Sequence, residues 1–298
     1  MAVTVAHRLA LLTAGATLVL IVFGGLVTNS GAALAVPDWP TTFGHNMFLF
    51  PWSQMVGGVF YEHSHRLVGA AVGLLTLALS VAVWGLGGRL RALGLIALAA
   101  VIVQGTLGGL RVLLLKDQLA IVHGALAQAF FALVVTLALL TSSRMRAPVP
   151  PGTVAAGPLA ALAAAVVYAQ IVLGALLTHE GWLMPHLAVA VAVFGLVPAA
   201  TARLRRGGDP VAAPLSHALL MLLGVQLALG VGSYLARFSP VWIPGGQGTL
   251  LALPVAHRLV ASLMLGAATI LAVRTAGVGA PAPSGALASG AVAHEARS

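Results

Sequence analysis

Eight apolar runs, each about 20 residues long, constrain the fold of this chain more than any other feature of its sequence. A helix of that length crosses the hydrocarbon core of a bilayer, because each helical residue adds about 1.5 Å. We expect the first run to be a retained helix. The sequence therefore predicts an all-α membrane protein with eight transmembrane helices, at 8–28, 60–84, 90–111, 118–141, 155–177, 184–203, 213–236 and 251–274.

The composition agrees with a chain embedded in lipid. Charged residues make up 7% of the sequence and hydrophobic residues 60%, whereas a soluble domain has about a quarter charged residues. The net charge of +9 comes from basic residues scattered in short groups between apolar runs, which is not a nucleic-acid-binding pattern. The sequence contains no cysteine, so any metal must be bound through histidine or oxygen ligands.

Basic residues in the short loops predict the orientation of the chain. The positive-inside rule places the loops richest in Lys and Arg in the cytoplasm. Both termini are then cytoplasmic, the protein lies in the cell membrane, and loop 29–59 is on the outer side. The cytoplasmic side holds Arg8, Arg89, Arg91, Arg144, Arg146, Arg203, Arg205, Arg206 and Arg274, and the outer loops hold Arg111, Lys116 and Arg237.

A pattern repeated in pairs of spans predicts two similar halves. Three odd-numbered spans carry Gln-x-x-x-Gly near their outer ends, at Gln104/Gly108, Gln170/Gly174 and Gln226/Gly230. The following span in each pair begins with a histidine: His65, His123, His186 and His257. We predict two pseudo-symmetric four-helix bundles, at 1–146 and 147–275, joined at "RMRAPVPPGT" and followed by a disordered tail at 276–298.

The four histidines open even-numbered spans, so they lie at similar depth near the outer face. Each half supplies two imidazoles from different helices, which is the arrangement that bis-histidine haem ligation requires. Small residues one turn further along the same faces, such as Gly69, leave room for a flat macrocycle. The alternative for each histidine is a role in close helix packing.

Charged residues accompany the first of these histidines. Glu62 shares a helical face with His65 and lies four residues before Arg66. Glu62 is a candidate base or hydrogen-bond acceptor, and Arg66 and Arg258 are candidates for pairing with haem propionates. The alternatives are a Glu62–Arg66 salt bridge or an arginine that reaches to the interface. Pro254 replaces Glu62 in the second half, which suggests one reactive pocket and one electron-transfer pocket.

These residues resemble the haem A synthase family over about 10–275, through "FGGLVTNSGAALAVPDWPTTFG", "YEHSHRLVG" and the histidines that open the fourth, sixth and eighth spans. The resemblance implies oxidation of the C8 methyl of haem O to a formyl group with oxygen derived from water. It implies that His65 and His123 bind the substrate iron, that Glu62 is the catalytic carboxylate, and that His186 and His257 bind a permanent haem b. Haem O synthase and a membrane electron acceptor are the implied candidate partners.

One departure from the family concerns cysteine. Many bacterial members carry a cysteine pair in the first outer loop, where this sequence has Val36 and Thr42. A mechanism that depends on a loop disulfide therefore does not apply. Two other functions are compatible with the pattern: a non-catalytic dihaem electron carrier of the cytochrome b type, and a transporter without haem. A carboxylate in only one pocket favours the enzyme over the carrier.

Overall fold

The computed structural model describes residues 2–277, and in that range the regular structure is helical. Eight long helices are apolar enough to cross a membrane, which confirms the predicted fold class. A single turn, α5 (Pro151–Val154), lies in the linker. The long helices are α1 (Ala2–Asn29), α2 (Gly58–Trp84), α3 (Gly88–Leu114), α4 (Asp117–Leu140), α6 (Gly157–Glu180), α7 (Leu183–Arg206), α8 (Ala212–Phe238) and α9 (Gly246–Thr275).

Each predicted span corresponds to one long helix, and most helices extend beyond the apolar run. Helix α1 begins at Ala2 and includes His7, whose Nδ1 lies 2.9 Å from the carbonyl oxygen of Ala138 in α4. This contact gives the polar His7 side chain a hydrogen-bond partner. Hydropathy alone would leave His7 outside the span. The predicted disordered tail lies, apart from residues 276 and 277, outside the described residues.

The long helices pack as two rings. In the first ring α1 contacts α2, α2 contacts α3, α3 contacts α4, and α4 returns to α1. Helices α6, α7, α8 and α9 close a second ring in the same way. Each ring has its own hydrophobic core, and a smaller cluster that includes Phe131 and Val135 packs against Ile270 between them. The pseudo-symmetry of the two halves stays a prediction.

A buried ion pair joins the linker to the second ring. Arg274 of α9 donates to Asp209 from Nε and Nη2, at 3.1 and 2.8 Å, and both side chains are fully buried. Arg274 also donates to the carbonyl oxygen of Ala147 in the linker. Asp209 Oδ1 accepts from the backbone N–H groups of Val211 and Ala212, at the start of α8. Burial alone raises the pKa of Asp209, but these hydrogen bonds and the Arg274 charge outweigh it and lower that pKa.

We predict that Arg274→Gln destabilises the protein by about 3 kcal/mol or more, because it leaves the Asp209 carboxylate buried without its cation. Thermal unfolding in detergent measures the change, and Arg205→Gln, an exposed arginine of α7, is the control. The pKa of Asp209 is lower in the folded protein than its ordinary value of 3.8. The stability that ionised Asp209 contributes is therefore present above pH 3.8 and is lost as the pH falls through the folded pKa. Equal stability of the two variants at neutral pH contradicts this prediction.

Candidate functional site

The structure brings the four predicted histidines together in two pairs. The first histidine pair is His65 of α2 and His123 of α4, with ring centroids 6.4 Å apart and ring planes at 70°. The second histidine pair is His186 of α7 and His257 of α9, with values of 6.5 Å and 68°. Two pairs on different helices thus have the same geometry.

This separation fits one metal ion between the two rings of each pair. A first-row metal lies about 2 Å from a coordinating imidazole nitrogen, and the ring centroid lies about 1 Å behind that nitrogen. Two axial imidazoles on one metal therefore place their centroids about 6 to 6.5 Å apart. The separations in both histidine pairs match that value.

A glycine on the preceding long helix contacts the Cε1 edge of each histidine ring. A Cβ built on Gly24 of α1 lies 3.2 Å from Cε1 of His65, and one on Gly108 of α3 lies 3.4 Å from Cε1 of His123. The corresponding distance from Gly174 to His186 is 3.4 Å, and that from Gly230 to His257 is 3.1 Å. A larger residue at any of these positions would press on the ring.

Three of the four histidines have a ring nitrogen without a hydrogen bond. Nδ1 of His65, of His123 and of His257 is buried without a hydrogen-bond partner among the described residues. Gln104 does not bind the His123 ring but donates to the His123 backbone carbonyl oxygen at 3.0 Å. In the second pair, Gln226 Nε2 lies 3.3 Å from His257 Nε2. The glutamines of the repeated pattern thus tie three of the four histidine-bearing helices, α4, α7 and α9, to their neighbours.

A cavity of about 1040 Å³ reaches all four histidines. It is lined by the small residues that the sequence pattern placed below them, namely Gly69, Ala127, Ala190 and Ala261. Its size is at the upper end for ligand pockets in proteins. Within residues 2–277 no cluster of three or more histidine, aspartate or glutamate side chains is placed to hold a bare metal ion. Paired imidazoles beside a large apolar cavity fit an iron carried in a flat macrocycle better than a free ion.

Glu62 lies at the edge of this cavity and anchors residues 30–57, here called the first loop. Its Oε1 accepts from Arg66 Nη2 at 2.9 Å, and its Oε2 accepts from the Val36 backbone N–H at 3.0 Å. The i, i+4 ion pair, one of the alternatives left open by the sequence, is therefore present. Arg66 also donates to three carbonyl oxygens of the first loop, those of Val36, Asp38 and Thr41.

Asp38 organises the turn in the first loop. Its carboxylate accepts from the backbone N–H groups of Phe43 and Gly44, at 2.8 and 2.9 Å, and from the Thr41 hydroxyl. Burial acts to raise the pKa of Asp38, but the hydrogen bonds from Gly44, Thr41 and Phe43 lower it to about 2. The carboxylate is therefore ionised at any physiological pH, and the turn that presents Trp39 is fixed.

The first loop covers the first histidine pair. Ala33, Leu34, Trp39 and Met47 of this loop line the cavity. The Trp39 ring lies against Gly109 of α3, so closely that a Cβ on Gly109 would overlap the ring. By contrast, none of residues 239–245, which join α8 to α9, lines the cavity. The two histidine pairs are alike, but only the first is roofed by a loop and accompanied by a carboxylate.

Several cavity residues were not predicted from the sequence. The charge pattern of the loops predicts only a topological role for Arg111, although Arg111 lies three residues after Gly108 and thus on a related face of α3. Trp39 was noted only within a motif, and nothing in the sequence indicates its contact with Gly109. Arg258, which was predicted, does line the cavity, as does Arg66. The ligand and catalytic roles of the predicted residues stay predictions.

Fold and site together define a multi-pass α-helical membrane protein with two histidine pairs that share one cavity. Comparison with known proteins identifies its family. Residues 7–185 match the model of the cytochrome oxidase assembly protein family, and the chain belongs to that family. The chain is similar to the haem A synthase of Shouchella clausii (strain KSM-K16), with 33% identity over 135 residues, which is 44% of this chain and 44% of that protein. The aligned region thus spans less than half the length of this relative.

We predict that Gly109→Ala displaces Trp39 and loosens the first loop, because the added methyl group cannot fit beneath the ring. Limited proteolysis of the purified protein should cut residues 30–57 several times faster than in the wild type. Gly105→Ala, on the same helix and with nothing within 4 Å of the new methyl group, is the matched control. Identical cleavage of the two variants would mean that this contact does not hold the loop.

Proposed function

We propose that this protein is a haem A synthase, which oxidises the C8 methyl group of haem O to a formyl group during cytochrome oxidase assembly. Membership of the family and the name of the Shouchella relative support the proposal. The observation that carries it is the pair of matched histidine sites, of which only one has a carboxylate at its edge. The site is therefore built for two haems with different tasks.

The first histidine pair holds the iron of the substrate, haem O, in this proposal. Conversion of the methyl group to a formyl group consumes one water and releases four protons and four electrons, so the site needs a base and an electron acceptor. Glu62 is the proposed base. Each of its oxygens accepts one hydrogen bond from the protein, and a carboxylate has about four acceptor positions, so it can still accept a proton from a water in the cavity.

The second histidine pair, His186 and His257, holds a permanent haem b. Bound there, haem b supplies one-electron redox chemistry, and a membrane electron acceptor receives the electrons. Pro254 occupies the place that Glu62 has in the first half, so the second pocket has no base at that position. Residues 1–146 and 147–275 form the two halves, and the closed ring of helices in each supports this division. The protein lies in the cell membrane with cytoplasmic termini, and haem O synthase is the candidate supplier of substrate.

The alternative is a dihaem electron carrier without catalytic activity. One observation favours it: both oxygens of Glu62 already hold the first loop, through Arg66 and Val36. Glu62 would then be a structural carboxylate. Co-expression of the chain with a haem O synthase, followed by chromatography of the extracted haems, separates the two functions. Haem A that appears only when this chain is present supports the enzyme, and its absence supports the carrier.

We predict that Glu62→Gln lowers haem A production by about 100-fold or more, because the amide cannot take a proton from water. The variant should retain haem in the second pocket, as its reduced absorption spectrum will report. Limited proteolysis of residues 30–57 is measured in parallel, since the amide also weakens the ion pair with Arg66. An ordered first loop with normal haem A output would show that Glu62 is not the base.

We also predict that His257→Ala removes most of the permanent haem b, because it deletes one of the two histidines that would hold its iron. The measurement is the haem b content of purified protein. Gln226→Ala is the matched control: Gln226 lies beside the ring of His257 but supplies no ligand. Full haem b content in His257→Ala would exclude the second pair as the site of this haem.

A further inference from the structure

Arginines at the cavity have different surroundings, and the difference separates their roles. Arg66, Arg111, Arg237 and Arg258 all line it. Among the described side chains the ion pairs are Arg66–Glu62 and Arg274–Asp209. The other three cavity arginines therefore have no carboxylate partner within the part of the chain that the structure describes.

Arg66 is fully used by the first loop. Its Nη1 donates to the carbonyl oxygens of Asp38 and Thr41, at 2.7 and 2.9 Å. Its Nη2 donates to the Val36 carbonyl oxygen at 3.0 Å and to Glu62 at 2.9 Å. These four bonds occupy all four N–H groups on the two terminal nitrogens, and only Nε–H is left. Arg66 thus cannot offer a two-pronged contact to a ligand without releasing the loop.

Arg258 occupies the equivalent position in the repeated "HRLV" but has no hydrogen bond from its guanidinium to any described residue. It lines the cavity and is partly exposed there, and its Nη1 is 3.5 Å from the position of a Cβ on Gly25 of α1. A cation in an apolar cavity without a protein partner is costly, and such a group is normally paired with something else. The charge of Arg258 acts on His257, and both residues line the cavity, so we expect that partner at the second histidine pair.

Arg111 has the corresponding place at the first histidine pair. It lies in the last turn of α3, and its charge acts on both His65 and His123. It lines the cavity and makes no ion pair with a described residue. At the first histidine pair, Arg111 is therefore the cavity arginine whose charge is not already paired with a described carboxylate.

We propose that Arg111 and Arg258 each bind a carboxylate of the tetrapyrrole held by the nearby histidine pair, whereas Arg66 holds the first loop. The proposal rests on the proposed function, which places an iron tetrapyrrole at each pair. Arginine suits the task because its planar guanidinium binds a carboxylate through two parallel hydrogen bonds. Each arginine would fix the orientation of the macrocycle in its own pocket, and in the first pocket Arg111 would thereby set which edge faces Glu62.

The test compares haemin with haemin dimethyl ester, which has the same ring and iron but no carboxylates. Both are titrated into the haem-depleted full-length protein in detergent, and binding is followed by the Soret band. One pocket is measured at a time: the first in a His257→Ala background, and the second in a His123→Ala background. Protein that retains Arg111 and Arg258 should bind haemin more tightly than the ester, by about tenfold or more. A difference of this size is typical of a charge-assisted hydrogen bond.

Arg111→Gln should abolish this preference in the first pocket, and Arg258→Gln in the second, with little change in binding of the ester. Arg66→Gln is the matched control: it should keep the preference for haemin and make residues 30–57 sensitive to protease. If either glutamine variant fails to fold, the lysine variant replaces it. A lysine keeps the charge but not the paired hydrogen bonds, so part of the preference should survive.

Three outcomes have separate meanings. If the preference for haemin persists in Arg111→Gln and Arg258→Gln, or disappears in Arg66→Gln with the loop intact, the assignment of the arginines is overturned. If neither haemin nor its ester gives the low-spin spectrum of bis-imidazole iron in the protein with all four histidines, the proposed function itself fails. Equal binding of haemin and ester with that spectrum overturns the arginine proposal alone.

Discussion

The contact between each histidine and a glycine on the preceding long helix sets the geometry of the whole site. Four such contacts recur, at Gly24, Gly108, Gly174 and Gly230, where an added Cβ would lie 3.1 to 3.4 Å from the ring Cε1. A side chain at any of these glycines would press on the imidazole and disturb the separation that a metal requires. Close helix approach through small residues is a common packing device in membranes. Here it also places two imidazoles at the separation of two axial ligands.

A shared framework of this kind allows the two halves to differ where chemistry requires it. The first half adds a loop, a carboxylate and Trp39 above its histidine pair, and the second half adds none of these. Glu62 has a structural role and a proposed catalytic role. It binds the first loop through Val36 and Arg66, and it also lines the cavity. The contacts that hold the first loop therefore also position the proposed base.

The sequence was sufficient to predict the parts of the structure that depend on local patterns. Hydropathy located eight helices, because the bilayer requires long apolar segments that satisfy their own backbone hydrogen bonds. The pairing of His65 with His123 and of His186 with His257 followed from helix direction, which places all four histidines at one level. Helix ends were less accurate: α1 extends past its apolar run because His7 finds a partner in α4.

The contacts that distinguish the halves depend on residues far apart in the chain. Arg66 and Arg258 share the local sequence "HRLV", so the sequence predicts the same role for both, namely pairing with haem propionates. They differ because the first loop, 25 to 30 residues before Arg66, supplies carbonyl oxygens to one and not to the other. The cavity role of Arg111 and the packing of Trp39 on Gly109 likewise arise only when helices assemble.

The most direct test of the central claim is electron paramagnetic resonance of the ferric, haem-loaded protein. Both histidine pairs have ring planes close to perpendicular, at 70° and 68°. Perpendicular axial imidazoles produce a strongly anisotropic low-spin signal, and we predict that signal from both pockets, with its loss from one pocket in His123→Ala and from the other in His257→Ala. A high-spin signal from the unaltered protein, or a low-spin signal that survives both substitutions, would contradict the account.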